Sequence, residues 1–257
     1  MKQVKTRFPH ERQQQIYDLL AERKMLGTAE LAKLLNISLP TVRRDLATMV
    51  QAGLLARTHG GAVAVGSSGS MSEPLFLEKL RLRQNLKQRV GAAAAELVEL
   101  NKVIVIDSGT TGLALARALA GRPVTIVALD LKVAEAAATG QTEVLIPGGR
   151  VRNGYYSLVG SWSSSLLKDI RADIFFMAAD AIDETGVTNS TLDEADVKRA
   201  AMAQAKRTVL IADHSKIGTR SFVHVCPLDR IDMLVTDRGA KAALQPYHSL
   251  FREIRLV

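Results

Sequence analysis

The run Val103-Ile104-Val105-Ile106 is unbroken, apolar and β-branched. A strand with one wet face alternates apolar and polar residues; a strand covered on both faces has no need to. This run therefore predicts a strand buried on both sides. Comparable runs recur at residues 124–129, 144–146, 174–179, 209–212 and 233–236, and helix-like stretches separate most of them. Strands and helices in turn predict an α/β domain on a mostly parallel sheet covered on both faces. The same reading places an Ala-rich helix over residues 78–99 and another from the Ser108-Gly109-Thr110-Thr111 turn through about Ala120.

The first quarter of the chain reads differently. Ile16, Leu19 and Leu20 fall at i, i+3 and i+4, one apolar face of a helix starting near Glu11. Gly27 is expected to end that unit, and Thr28 to cap a second helix that offers Leu31, Leu34 and Leu35 to the same core. Ser38 is a good N-cap for a third helix, whose first turn tolerates Pro40 because it has no N–H bond to lose there. Val42, Leu46, Met49 and Val50 should face inward, with Gly53 as the stop. Residues 54–59 then read as a strand turning at Gly60-Gly61 into a second strand over 62–65. Helices followed by a two-stranded ribbon predict a winged helix-turn-helix. Gly66-Ser67-Ser68-Gly69-Ser70 has linker composition. The expected organisation is a winged helix-turn-helix over 1–62, a linker over 63–75 and an α/β sensing domain over 76–257.

Charge sharpens this division. The 257 residues carry 34 Lys and Arg against 26 Asp and Glu, a net +8. Residues 1–62 hold ten bases and five acids; the rest is nearly balanced. A basic module joined to a near-neutral domain favours a polyanionic partner. With Val42, Leu46, Met49 and Val50 inward, the third helix shows Thr41, Arg43, Arg44, Ala47 and Thr48. The N-terminal residues of such a helix enter the DNA major groove. One arginine can take guanine O6 and N7, and the other can hold a phosphate. Thr28, Ser38, Thr41 and Thr48 can add hydroxyl contacts, and Arg57 and His59 on the wing can touch the backbone or minor groove. The plainer alternative is that Arg43 and Arg44 are solvated, paired with Asp45 or Glu30.

A second constellation sits where the first buried strand ends. Asp107-Ser108-Gly109-Thr110-Thr111 passes from strand to helix, where ligands settle in open α/β sheets. Its glycine, hydroxyls and helix-start N–H groups suit a phosphate, although plain capping also explains Ser and Thr there. Gly148-Gly149-Arg150, Asp180 with Asp183, Lys198 at a helix start and Lys216 all lie just past strands or at helix starts, so they can meet on one rim. The carboxylates can bond sugar hydroxyls, and the lysines can neutralise phosphate.

The run Ser38-x-x-Thr41-Val42-Arg43-Arg44-Asp45-Leu46, followed by Gly53-Leu54-Leu55-x-Arg57-Thr58-His59-Gly60-Gly61-Ala62, closely resembles the N-terminal signature of DeoR-family transcriptional regulators. The later segments resemble that family's C-terminal sensor domain, similar in fold to ribose-phosphate isomerases. The resemblance covers residues from about Glu11 to Asp237. It implies a winged helix-turn-helix, with the helix-turn-helix proper at about residues 26–45, most often serving repression. It also implies a sensor in which Asp107 to Thr111 hold the phosphate of a phosphorylated sugar or related metabolite, beside the Asp180–Asp183 segment and Lys216. Two departures stand out. Ala128-Leu129-Asp130 replaces the usual Thr-Asn, which would put the acid Asp130 at the pocket, and Ala178-Ala179-Asp180-Ala181 replaces Gly-Ala-Asp-Gly.

Other chemistries lose their support. Cys226 is the single cysteine and the five histidines show no ligand spacing, so neither a metal site nor a cofactor is expected. No GxSxG, GxxxxGK[ST] or GxGxxG pattern occurs. The start of the chain lacks the apolar run of a signal peptide, and no membrane span is expected, which predicts a cytoplasmic protein. The expectation is a DNA-binding repressor of a sugar or related carbon-metabolism operon. It is expected to be a homodimer or homotetramer on double-stranded operator DNA, released by a small phosphorylated effector and without enzymatic activity. The alternative is a sugar-phosphate isomerase-like enzyme with an accessory DNA-binding domain.

Overall fold

A computed structural model describes residues 12, 13, 15, 16, 19, 20, 26–51, 55–58, 61–64 and 74–257. The chain divides into two units, Met1–Leu75 and Phe76–Val257.

In the first unit, Arg12, Gln13, Gln15, Ile16, Leu19 and Leu20 are helical. There follow β1 (Leu26–Gly27), α1 (Thr28–Leu35), α2 (Leu39–Gln51), β2 (Leu55–Thr58) and β3 (Gly61–Ala64). The three strands form an antiparallel sheet in the order β1-β3-β2. Ile16, Leu20, Leu26, Leu31, Val42, Leu46 and Met49 close one core, with Val50 half-buried beside it. Asn36 ends α1 in the left-handed conformation, φ 53°, which its short polar side chain tolerates. One expectation is corrected here. Gly27 does not end a helix: it pairs with Gly61 in β1 and caps α1 with extended backbone. Thr28 is the first helical residue, and Gly27 holds the N-cap place expected of it. A two-residue strand is too short to show a period, so nothing in the sequence marked it. Gly53, Leu54, His59, Gly60, Val65 and the segment 66–70 lie outside the described residues.

The second unit carries α3 (Phe76–Arg81), α4 (Gln84–Ala95), β4 (Val103–Ile106), α5 (Thr110–Leu119), β5 (Thr125–Ala128), α6 (Leu131–Ala137), β6 (Glu143–Leu145), β7 (Arg150–Val151) and β8 (Leu158–Val159). It continues with α7 (Ser161–Leu167), β9 (Ala172–Met177), β10 (Ala181–Asp183), β11 (Gly186–Asn189), α8 (Leu192–Gln204), β12 (Ala205–Ile211), β13 (Val223–Cys226), β14 (Met233–Thr236) and β15 (Ile254–Leu256). Seven strands form one sheet, ordered β15-β14-β12-β9-β4-β5-β6. Every pairing in it is parallel. Alternate residues of each strand enter opposite cores. Ile104, Ile106, Ile126 and Phe176 pack with residues of α4, α5 and α6. Val105, Val127, Phe175 and Met177 pack with residues of α7 and α8. Two covered faces are why the strand runs are continuous rather than alternating.

Two details differ from the sequence reading. The helix expected over 78–99 is broken, because Arg83 takes φ 53° between α3 and α4. Lys87 bonds the carbonyls of Lys79 and Leu82 and so ties off the end of α3. The run at 144–146 is not a buried strand: β6 lies at the sheet edge, and Leu145 and Ile146 are exposed. A smaller antiparallel sheet, β10-β11-β13, stands beside the main one. Among the described residues, no helix is long and apolar enough to cross a membrane.

Candidate functional site

α2 presents its basic face as its apolar spacing requires. Val42, Leu46 and Met49 are buried, whereas Arg43, Arg44 and Thr48 are exposed and Thr41 and Ala47 half-buried. Ser38 stands just before the helix; its Oγ accepts from the Thr41 amide at 3.4 Å and lies 2.7 Å from the Thr41 hydroxyl. Thr48 donates its hydroxyl to the Arg44 carbonyl at 3.1 Å. Asp45 is buried and bound by Arg12, Nε to Oδ2 at 2.5 Å and Nη2 to Oδ1 at 3.0 Å. The acid beside Arg43 and Arg44 is thus engaged by a cation from the leading helical segment. Thr28 is half-buried at the start of α1. Arg57 lies in β2, and His59 falls outside the described residues.

In the sensor unit the decisive place is between β4 and β9. From β4 the chain winds outward through β5 and β6, then returns to β9 on the other side and winds outward through β12, β14 and β15. Ligands of open α/β sheets bind at such a switch point, beyond the strand ends. Asp107 follows β4 there. Its Oδ2 accepts from the Ala178 amide, just past β9, at 2.8 Å, and its Oδ1 from the Ser108 amide at 2.8 Å. Lys198, from α8, donates to Asp107 Oδ2 and to the Ala178 carbonyl. Both side chains are buried where the sheet changes direction. Burial works against the Lys198 charge, but Asp107, Glu194 and Asp180 lift its pKa above the ordinary lysine range.

The other rim residues are equally engaged. Asp180 accepts from Lys79 at 2.9 Å and from the Ser190 amide and hydroxyl. Burial would raise its pKa, yet Lys79, Ser190 and Lys198 hold it well below the usual range. Asp130, expected at the pocket, is engaged in the same way. It is fully buried and N-caps α6, accepting from the amides of Lys132 and Val133, while its second oxygen takes the Gly109 amide at 3.1 Å. Burial pushes its pKa up to about 6. The turn 107–111 therefore has its Ser108 and Gly109 amides committed to carboxylates. The first-turn amides of α5 at Thr110 and Thr111 have no intrahelical acceptor. Gly109 takes φ 101°, a conformation that favours glycine.

Five other expected residues make contacts of their own. Asp183, in β10, bonds Thr185 and Arg220. Arg150 is exposed and paired with Asp193, while the Gly148 carbonyl takes the Ser163 hydroxyl at 2.6 Å. A Cβ on Gly149 would meet the Val159 carbonyl at 2.7 Å, so this glycine serves close packing. Lys216 follows β12 in a short 3-10 turn.

The sequence reading missed a buried group beside the crevice. Glu194 accepts from Ser157 at 2.6 Å and Asn189 at 2.7 Å and pairs with Arg152 at 2.6 Å. It also missed Lys79, Arg83 and Lys87 of the α3–α4 junction. Glu194 and Lys198 are four apart on one helix, a spacing that could have flagged them together. Among the described residues, no group of three His, Cys, Asp or Glu could hold a metal ion.

A winged helix-turn-helix with paired exposed arginines, joined in one chain to a doubly covered parallel sheet, is the build of a DNA-binding transcriptional regulator. The chain belongs to the DeoR family: residues 12–68 match the DeoR-like helix-turn-helix domain and residues 82–238 the DeoR C-terminal sensor domain. It is 31% identical over 240 residues to the HTH-type transcriptional regulator GolR of Listeria innocua, covering 92% of this chain and 94% of that protein. It is 30% identical over 231 residues to the lactose phosphotransferase system repressor of Staphylococcus aureus, covering 89% and 92%. A solved structure to which it is similar is ribose 5-phosphate isomerase A of Methanocaldococcus jannaschii, at 20% identity and a TM-score of 0.38 over 52% of this chain and 54% of that one. That last likeness is too slight to argue from.

Proposed function

We propose that this chain represses a sugar-related operon by docking α2 in the operator major groove, and that a phosphorylated sugar-like metabolite bound by its sensor unit releases it. The observation that carries the reading is the exposure of Arg43 and Arg44 on a helix whose one acid, Asp45, is buried against Arg12. Ser38, Thr41 and Thr48 stand on the same face for phosphate or base edges, and Thr28, Arg57 and His59 complete the DNA-facing set. A single such module reads a short half-site, so a homodimer or homotetramer on paired half-sites is the working unit. The effector lies at the sheet rim near Ser108, Gly109, Thr110, Thr111 and Lys216, with Gly148, Gly149, Arg150, Asp180 and Asp183 further along the rim. Asp107, Asp130 and Lys198 build its floor. The carboxylates at that rim are engaged with cations and amides, which supports sensing over turnover. The protein works in the cytoplasm, where its DNA and metabolite are.

The test is fluorescence anisotropy of the full chain on promoter fragments from its own genome, followed by titration with phosphorylated and unphosphorylated sugars. Specific binding reversed by a phosphorylated compound alone supports the reading. Binding that no metabolite alters overturns the effector half, binding with no sequence preference overturns the repressor half, and turnover of pentose or hexose phosphates overturns the non-enzymatic assignment.

A further inference from the structure

α7 carries no charged residue, and from Asn153 through Leu167 the chain has no Lys, Arg, Asp or Glu. The inner side of α7 is set by Ser163 and Leu167, four apart and both buried. Ser163 donates its hydroxyl to the Gly148 carbonyl, and Leu167 belongs to the core that holds Val105, Val127 and Phe175 of the sheet. Trp162 and Leu166 each precede one of these inner residues, so they share a neighbouring stripe of the helix. That stripe faces water: 77% of Trp162 and 50% of Leu166 are exposed. Trp162 is the single tryptophan of the chain.

The apolar exposure continues at the sheet edge. In β6, Leu145 stands opposite Val127 of β5, so its side chain lies on the face of the sheet that α7 covers. β6 ends the sheet, and Leu145 and the following Ile146 are both exposed. The bond from Ser163 to Gly148 holds α7 beside the segment that leaves this edge. Ser161 and Ser165, exposed on α7, are small enough to let a second helix come close. Scattered apolar side chains on a surface are ordinary, but an uncharged helix with its tryptophan in water is not.

We propose that α7 and the β6 edge form the two-fold interface through which two copies of this chain associate, with Trp162 at its centre. The proposal rests on the reading of the chain as a repressor working on paired half-sites, and it names the surface that pairs the copies. Near a two-fold axis each residue faces its own counterpart, so a charge there meets a like charge. Two chains of net +8 repel one another, and the face that penalises their approach least is one without charge. Trp, Leu and Ser can oppose their own copies, and aromatic, charge-depleted surface is what interface centres are made of. An anionic membrane or a nucleic acid would need Lys or Arg on α7, which has neither. With the serines between them, Trp162, Leu166, Leu145 and Ile146 offer on the order of 500 Å². A two-fold contact buries that patch on both copies, which reaches the roughly 1,000 Å² of a specific interface.

The single tryptophan makes the test direct. Emission and acrylamide quenching of Trp162 are followed in the full chain across a dilution series, with mass read in parallel by sedimentation velocity. The expected result is a dimer or larger assembly at micromolar concentration whose tryptophan is shielded and emits to the blue. On dilution the emission should shift to the red and quenching increase, with the same midpoint as the fall in mass. Leu166→Glu, which keeps the probe, is expected to raise the dissociation constant by about thirtyfold or more. Leu166 is half exposed, so the variant should fold, which circular dichroism checks; the wild-type dilution series decides alone if it does not. An assembly in which Trp162 stays freely quenched overturns this face and leaves the paired half-sites standing. Wild-type assembly of Leu166→Glu overturns it too, as does a shielded Trp162 in a chain of monomeric mass, where another part of the same chain covers the helix. A chain that is monomeric at every concentration overturns the interface together with the paired working unit. An assembly with shielded Trp162 that binds DNA with no sequence preference supports the interface and overturns the repressor reading.

Discussion

Arg12 binds both carboxylate oxygens of Asp45, at 2.5 and 3.0 Å, and thereby ties the leading helical segment to the recognition helix. Both side chains are largely buried. Removing one partner leaves a part-buried charge without compensation, which costs more than the intact pair contributes. Asp45→Ala is therefore expected to destabilise the N-terminal unit by about 3 kcal/mol, read as a lowered denaturation midpoint. DNA binding falls with it, and a variant that unfolds normally yet loses DNA binding would assign Asp45 a direct contact instead.

Arg43→Ala is expected to do the opposite. An exposed side chain on a packed helix contributes little to folding, so the melting temperature should stay within a degree or two. Operator affinity should fall by about 1–3 kcal/mol if Arg43 reads a base. A uniform loss on all sequences, with a salt slope shallower by about 1, would assign it to phosphate. Anisotropy titrations at several salt concentrations separate the two outcomes.

Lys198→Met leaves Asp107 buried against two amides with no counter-charge. The expected loss for the sensor unit is about 3–5 kcal/mol, and adding Asp107→Asn should recover much of it. A double variant no more stable than Lys198→Met alone would mean that shape rather than charge sets the cost. Urea denaturation of both variants checks it.

Asp130 gives the sensor unit a pH signature. Its carboxyl titrates near 6 in the folded chain because burial raises it, above the ordinary 3.8. The folded state then binds the proton more tightly than the unfolded one, so stability falls as pH rises from about 4 through about 6. Bringing the protein from pH 7 to pH 5 should stabilise it by on the order of 1–2 kcal/mol through this group. Asp130→Asn should flatten that part of the profile. Asp180 and Asp237, whose pKa values are lowered by their partners, act in the contrary direction, but at lower pH.

Gly91→Ala should be destabilising even though alanine is the better helix former. A Cβ at Gly91 would stand 2.7 Å from backbone atoms of Ala114 and Leu115, because α4 and α5 cross there at closest approach. Overpacking against backbone costs about 1–3 kcal/mol, more than the propensity gain. Unchanged thermal stability would show that the helices can separate freely.

Much of this was legible in the chain itself. The β-branched runs located five of the seven strands of the parallel sheet with their burial, because a strand covered on both faces needs no polar residue to mark it. The 144–146 run misled for the same reason: composition cannot tell an edge strand from a central one, and β15 is short and interrupted by Arg255. Val42, Leu46 and Met49 placed Arg43 and Arg44 on the outer face of α2 through the 3.6-residue period alone. The partners of the charged residues were not legible. Asp45 meets Arg12 across 33 positions and Lys198 meets Asp107 across 91. Asp130 caps α6 and holds the Gly109 amide across 21 positions, a tie that no local spacing shows. Local order is set by periods and caps that a short stretch of sequence carries. Which buried charge answers which is settled when sheet and helices close around them, since burial without a partner is what each ion must avoid.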